Sequence, residues 1–360
     1  VQAWNSPASF TFTLDGHDES AAYVNELQHD VVAWRWDDTA GVDRPLFRGV
    51  VGQSQDQLTT EQHVVTFTCH DYLAVLGRRF NGAAYSVTQQ DQDVIVAFLL
   101  ALGSNQAHST YANVSFMPGS YLPLTVQNVN PDGSARAANS GALRDRTYPP
   151  QTEILHALTD LAAVSGGFDL DVLPFGMGDN ATDALRIFYP RQGVTRTAPV
   201  LLYGGAVATV TRAVNSADYA NYARVLGNGI YGEAWNADAT GVTVGLWSYP
   251  DSAADATVQG TVTDKANGDL AYYGVLLPSY TIGLTPNVFY AGMFNMGDTL
   301  PLVITSGRLQ VNTPVRVTSI TYDVNDDGDE NIKLTVGRPT TALTDLLGRT
   351  ASDVAALTRR

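Results

Sequence analysis

Polar and apolar residues alternate with a period of two in two well-separated blocks of the chain, and this commits most of it to antiparallel β-structure. Ser9-Phe10-Thr11-Phe12-Thr13-Leu14 sends its apolar side chains to one face, and Asp15-Gly16 ends the run with turn chemistry. Val31–Trp36, Leu46–Val51 and Val64–Cys69 continue the first block, with polar turns expected over Asp37–Asp43 and Gly52–Gln62. Leu300–Ile304, Val315–Tyr322 and Asn331–Val336 form the second. Meanders of this length close into small barrels or sandwiches.

Between the blocks the period changes. Thr88 and Asp91 read as a capping box for a helix from Asp91 to Leu102, apolar on almost every face and stopped by Gly103. Residues 104–150 show no sustained periodicity and read as loop. After Pro149-Pro150, Ile154, Leu155, Leu158, Leu161 and Ala162 mark one face of a second helix closed by Gly166-Gly167. Strands follow at Phe168–Leu173, Ala184–Tyr189, Val207–Arg212 and Tyr222–Leu226, the last ending in the tight turn Gly227-Asn228-Gly229. Residues 230–290 carry no clear pattern. At the end, Leu343, Leu347, Thr350, Val354 and Leu357 fit two heptads of a helix.

Composition then excludes whole classes. The 360 residues carry a net charge of −15 and no Lys/Arg cluster, which argues against gripping nucleic-acid phosphates. A single cysteine, Cys69, precludes an internal disulfide or a cysteine zinc site. The longest apolar run, Val94–Leu102, is half of the roughly 18 residues a membrane helix needs, so no membrane segment is expected. The chain opens at Val1 without a basic-then-apolar leader, so no secretory signal is expected either.

No catalytic or metal-binding constellation emerges, and the expectation is of no enzyme, no cofactor and no metal. Asp323-Val324-Asn325-Asp326-Asp327-Gly328 matches the first half of a calcium loop, but Leu334 occupies the position of its bidentate glutamate and the flanks alternate as strands. A polar hairpin tip accounts for it. Cys69-His70-Asp71 contains triad residue types, yet neighbours on a strand point to opposite faces. His17, His29, His63, His108 and His156 lie at no metal-ligand spacing. Asp169, Asp171, Asp251 and Asp255 could supply paired carboxylates for glycan cleavage. Tyr231, Trp235, Trp247, Tyr249, Tyr272, Tyr273, Tyr280 and Tyr290 suit either a carbohydrate- or protein-binding surface or a core. A carbohydrate-binding or glycan-cleaving β protein is therefore the alternative function.

The order of elements, a β-meander, a helix-containing insert, a second meander and a terminal helix, resembles the baseplate hub proteins of phage tails. Leu46–Val51, Phe67–Arg79 (Phe-Thr-Cys-His-Asp-Tyr-Leu-Ala-Val-Leu-Gly-Arg-Arg) and Ala220–Gly229 are similar to stretches of minor tail proteins from siphophages of actinobacteria. Met296-Gly297-Asp298-Thr299-Leu300 with Val315-Arg316-Val317 resembles their closing section. The resemblance implies a mainly β fold with an α+β insert: a first β-barrel hub domain over 1–85, completed near 200–230, an inserted domain over 86–199, a second barrel over 200–340 with an insertion near 230–290, and a C-terminal helix or linker over 341–360. It further implies a homotrimeric ring in the virion that adapts a sixfold tail tube to a threefold tip. A distal tail or tube protein would sit above, tip, fibre or spike proteins below, and phage DNA would pass through without specific binding.

Overall fold

A computed structural model describes residues 1–3, 5–37, 41–104, 122, 124–163, 167–174, 183–214, 216, 219–236, 245–252, 259–274, 278–286, 288, 293–325 and 330–337. In chain order the elements are β1 (Gln2–Ala3), β2 (Ser9–Asp15), α1 (Glu19–Tyr23), β3 (Asp30–Asp37), β4 (Val42–Leu58), β5 (His63–His70), α2 (Tyr72–Leu76), β6 (Tyr85–Asp91), α3 (Gln92–Ser104), β7 (Leu124–Val129), β8 (Leu143–Tyr148) and α4 (Ile154–Ala163). They continue as β9 (Asp169–Leu173), β10 (Asp183–Phe188), β11 (Leu201–Leu202), β12 (Val207–Ala213), β13 (Tyr222–Leu226), β14 (Tyr231–Trp235), β15 (Ser248–Ser252), α5 (Gln259–Tyr273), β16 (Ser279–Leu284), β17 (Thr299–Ser306), β18 (Leu309–Val324) and β19 (Glu330–Gly337). The fold is mostly β. The terminal heptads and positions 326–329 of the acidic hairpin lie outside the described residues.

The chain divides into two compact units, the first built from 1–209 and 283–334 and the second from 210–282 and the residues after 334. In the first unit, β2, β5, β4 and β3 form an antiparallel sheet in that order. Its apolar face carries Phe47, Val51, Val65, Phe67 and Cys69 as a buried core, with Phe12 stacked on Phe67 at 5.1 Å between ring centres. Burial pushes the Cys69 thiol up to about 11, which leaves it a small hydrophobe at neutral pH. The sequence placed a loop over Gly52–Gln62; instead β4 runs on to Leu58. One 17-residue strand serves two partners, β3 along Val42–Val50 and β5 along Val50–Leu58, and a bulge between Val51 and Gln53 bends it between them.

The insert shares its core with α2, and in it Leu73, Ile95, Leu99, Ile154, Leu158, Leu161, Leu185 and Ile187 are fully enclosed. Helices α3 and α4 pack over a sheet ordered β7-β10-β9, in which β7 runs parallel to β10. Two expectations change here. Thr88 does not cap α3, because β6 pairs with β8 as far as Asp91; the Asp91 carboxylate instead accepts the Asp93 N–H at 2.9 Å. Residues 104–150 are not simply loop either, since β7 and β8 lie within them. Their polar alternation hid them, as only Leu124 and Val129 of β7 and Tyr148 of β8 are buried. Nor is α3 enclosed on all sides, for Val94 and Phe98 face outward.

The second meander supplies β17, β18 and β19, β11 joins this sheet alongside β17, and β1 pairs with β18 through Gln2–Ile320 and Ala3–Ser319. The chain passes between the units within β12, β16 and β19. In the second unit, a β14-β13-β15 sheet covers α5 with Ala223, Val225 and Ala234 against Val262 and Ala266. Helix α5 has no strong apolar stripe, which is why 230–290 was unreadable. It is seated by a close approach at Gly232, where a Cβ would lie 2.3 Å from the Val262 carbonyl carbon.

Candidate functional site

The residues that carried chemical promise in the sequence do not converge. Asp169 is buried and held by Arg316, whose Nη2 lies 2.5 Å away, while Asp171 takes both Nε and Nη2 of Arg186 at 2.8 and 2.6 Å. Each carboxylate has an arginine of its own, so their spacing serves ion pairing. Asp251 pairs with Lys265, and Asp255 lies outside the described residues. Cys69 is buried and His70 exposed on opposite faces of β5. Asp71 caps α2, accepting the N–H groups of Leu73 at 3.1 Å and Ala74 at 3.4 Å, and that of Ala8 at 2.8 Å. Among the described residues no three His, Cys, Asp or Glu side chains gather as metal ligands. The aromatic residues divide: Tyr280 is buried and Tyr249 stacks on Tyr273, whereas Tyr231, Trp235 and Trp247 are exposed. Tyr290, and the side chain of Tyr272, lie outside the described residues.

What the first unit does build is a clamp and a cleft. The strand-to-strand passage Gln192–Arg196 is fastened on both sides. Gln192 donates its N–H to Asp169 at 2.9 Å and its Nε2 to Asp171 at 2.7 Å; Val194 N–H and Arg196 Nε donate to Asp298 at 2.9 and 2.5 Å. Asn295 N–H adds a third bond to Asp298 at 2.8 Å, and Arg316 reaches Asp169, the Gln192 carbonyl and the Gly297 carbonyl. The Met296–Leu300 stretch thus acts through Gly297 and Asp298, which join the insert to the second meander.

Beside this clamp lies a cleft of about 350 Å³, entirely within the first unit. Five arginines line it, Arg35, Arg44, Arg48, Arg186 and Arg196, together with four aspartates, Asp71, Asp132, Asp171 and Asp298. Four of the arginines are ion-paired, Arg35 with Glu330, Arg48 with Asp30 and Asp183, Arg186 with Asp171 and Arg196 with Asp298, so the wall is a network of paired charges. Residue spacing could not reveal it, because the arginines lie up to 161 positions apart, from Arg35 to Arg196, and are gathered by β3, β4, β10 and the 190–196 passage.

Asp71 adds a pH dependence to this wall. Desolvation, together with the nearby Asp171 charge, outweighs its three backbone hydrogen bonds and raises its carboxyl to about 7. A folded-state value above the ordinary 3.8 means that the folded chain holds a proton the unfolded chain releases. Stability from this group is therefore full below the ordinary value and is lost as pH rises toward 7. Thermal denaturation should show the wild type losing more stability than Asp71→Asn between pH 5 and pH 8; parallel profiles would disprove the assignment.

No protein-family model matches this chain, and no curated protein sequence does. Its fold does have solved counterparts. The 43 kDa tail protein of prophage MuSo2 from Shewanella oneidensis superposes with a TM-score of 0.56 at 11% identity, covering 92% of this chain and 88% of that one. A tail protein from Neisseria meningitidis MC58 gives 0.54 at 11% identity over 93% and 92%, and prophage tail protein gp18 from Listeria monocytogenes EGD-e gives 0.50 at 11% identity over 98% and 90%. Over nearly its whole length, this chain has the fold of phage-type tail proteins.

Proposed function

We propose that the chain is a structural component of a phage tail tip or baseplate hub, located in the virion tail. The observation that carries this reading is the fold shared over 92% and 93% of the chain with two tail proteins. Three subunits form a ring that adapts a sixfold tail tube to a threefold tip. In each, a first hub domain over 1–85 and a second over 200–340 supply pseudo-equivalent β-walls, the 86–199 insert stands outside them, and 341–360 leads on as a helix or linker. A tube or distal tail ring sits above and fibre or spike proteins sit below. The role is one of assembly and not of catalysis. The charge of −15 suits a conduit that DNA crosses without adhering, since an acidic wall repels phosphate. Closing strands into a ring also covers edges that would otherwise aggregate.

Light scattering with negative-stain imaging of the purified chain tests this. A particle of three times 38.6 kDa with a central opening is expected, and a monomer at all concentrations together with no threefold ring in native particles would overturn it.

A further inference from the structure

The β14-β13-β15 sheet of the second unit turns its large residues outward. Toward α5 it sends Ala223, Val225, Gly232 and Ala234, none larger than valine. By the alternation of β13 and β14, the opposite face carries Tyr222, Arg224, Leu226, Tyr231, Glu233 and Trp235. Trp235 is 70% exposed and Tyr231 49%. Core packing therefore does not account for these rings, and aromatic side chains gathered on a solvent face mark a binding surface.

Register sets the layout of that face. Tyr222 lies opposite Trp235, Arg224 opposite Glu233 and Leu226 opposite Tyr231, so a charged pair sits between two rows that each hold an aromatic ring. The Tyr222 and Trp235 rings meet at 71° with centres 5.5 Å apart, a contact that covers at most one face of the indole and leaves the other open. Glu233 Oε1 accepts the Tyr222 hydroxyl at 2.5 Å and lies 3.8 Å from Arg224 Nε, while the Arg224 guanidinium stands 4.3 Å from the Tyr231 ring centre. These contacts fix both charged groups in place, and they leave Glu233 Oε2 as an acceptor and the Arg224 Nη groups as donors.

We propose that this face binds a neutral glycan, with one pyranose ring stacked on Trp235 and its hydroxyls on Glu233 and Arg224. Charge decides the class of ligand. Arg224 and Glu233 neutralise each other, so neither an anion nor a cation meets an uncompensated opposite charge. A hydroxyl both donates and accepts, and two neighbouring hydroxyls of one ring can donate to Glu233 Oε2 while accepting from Arg224 Nη. The C–H face of the same ring is apolar and covers the indole. A sugar brings both features together across the roughly 7 Å that separates residues two apart on a strand, as Glu233 and Trp235 are. Strand β15 continues the face with Ser248, Pro250 and Ser252, small side chains beside which a linear glycan can extend.

The test titrates the full chain by calorimetry with hexasaccharides of cellulose, laminarin, mannan, galactan and chitin, and with one of polygalacturonate as the anionic comparator. At least one neutral hexasaccharide should bind with a Kd of about 1 mM or below, and the anionic one more weakly. Trp235→Ala and Glu233→Ala should each weaken that binding about ten-fold while the melting temperature holds, since neither side chain belongs to the core against α5. Should Trp235→Ala fail to fold, Glu233→Ala carries the test alone. No saturation by any neutral hexasaccharide at about 10 mM, full affinity in the folded variants, or equal affinity for polygalacturonate would each overturn the proposal. So would a change of oligomeric state in folded Trp235→Ala, which would make this face a contact between copies of the chain.

Discussion

Replacing Asp298 by alanine should destabilise the chain by about 3–5 kcal/mol, seen in urea as a large fall in midpoint at constant slope. The carboxylate is 1% exposed and accepts three bonds, from Val194 N–H, Asn295 N–H and Arg196 Nε. Its removal strands two backbone donors, each of which costs about 1–3 kcal/mol when left unpaired away from water. Arg196 is a third exposed and rehydrates in part, so its share is the smaller one. Asp298→Asn keeps one acceptor oxygen and should lose roughly half as much. A loss under about 1 kcal/mol for alanine would mean that water replaces the carboxylate and that the joint is looser than drawn.

Gly193→Ala should cost about 3 kcal/mol, far more than the same change at Gly229. Both glycines adopt positive φ, +90° and +73°, which an alanine resists by about 1–2 kcal/mol. Only Gly193 is also crowded. A Cβ there would lie 2.0 Å from the Gly297 carbonyl carbon, whereas nothing stands within 4 Å of one at Gly229. The crowding is mutual, since a Cβ on Gly297, at φ +84°, would lie 2.4 Å from the Gln192 carbonyl oxygen. Two backbones pass here with no room for a side chain, and the clamp bonds of Asp169 and Asp298 hold them together. Comparing the melting temperatures of the two variants isolates the contact from the backbone cost; equal losses would remove the contact as a cause.

Much of the fold was legible because alternation is a local signal. The runs from Ser9, Val31, Leu46, Val64, Leu300, Val315 and Asn331 all became strands, as did those near 169, 184, 207 and 222. Helix α4 was legible in its apolar spacing, α3 in its apolar run, and the Gly227–Gly229 turn, which the Gly227 N–H closes onto the Ile230 carbonyl, in its Gly-Asn-Gly turn chemistry. Local signals failed where pairing is set by distant partners. Strands β7 and β8 carry mostly polar residues and become strands only because β10 and β6 offer them a ladder. Helix α5 lacks an apolar stripe and is held by the small residues opposite it.

The functional surface divides along the same line. By itself the sequence determined the alternating strands, the two readable helices, an acidic and nearly cysteine-free chain, and the absence of any motif that demands catalysis, since these depend on residue type and short spacing. Only the tertiary structure decided that Asp169 and Asp298 are clamps, that Asp71 is a desolvated cap, and that five scattered arginines line one cleft. The physical reason is range. Periodicity and turn chemistry act over a few residues, whereas desolvation and charge pairing depend on groups brought together from as far as 295 positions apart, as Arg35 and Glu330 are.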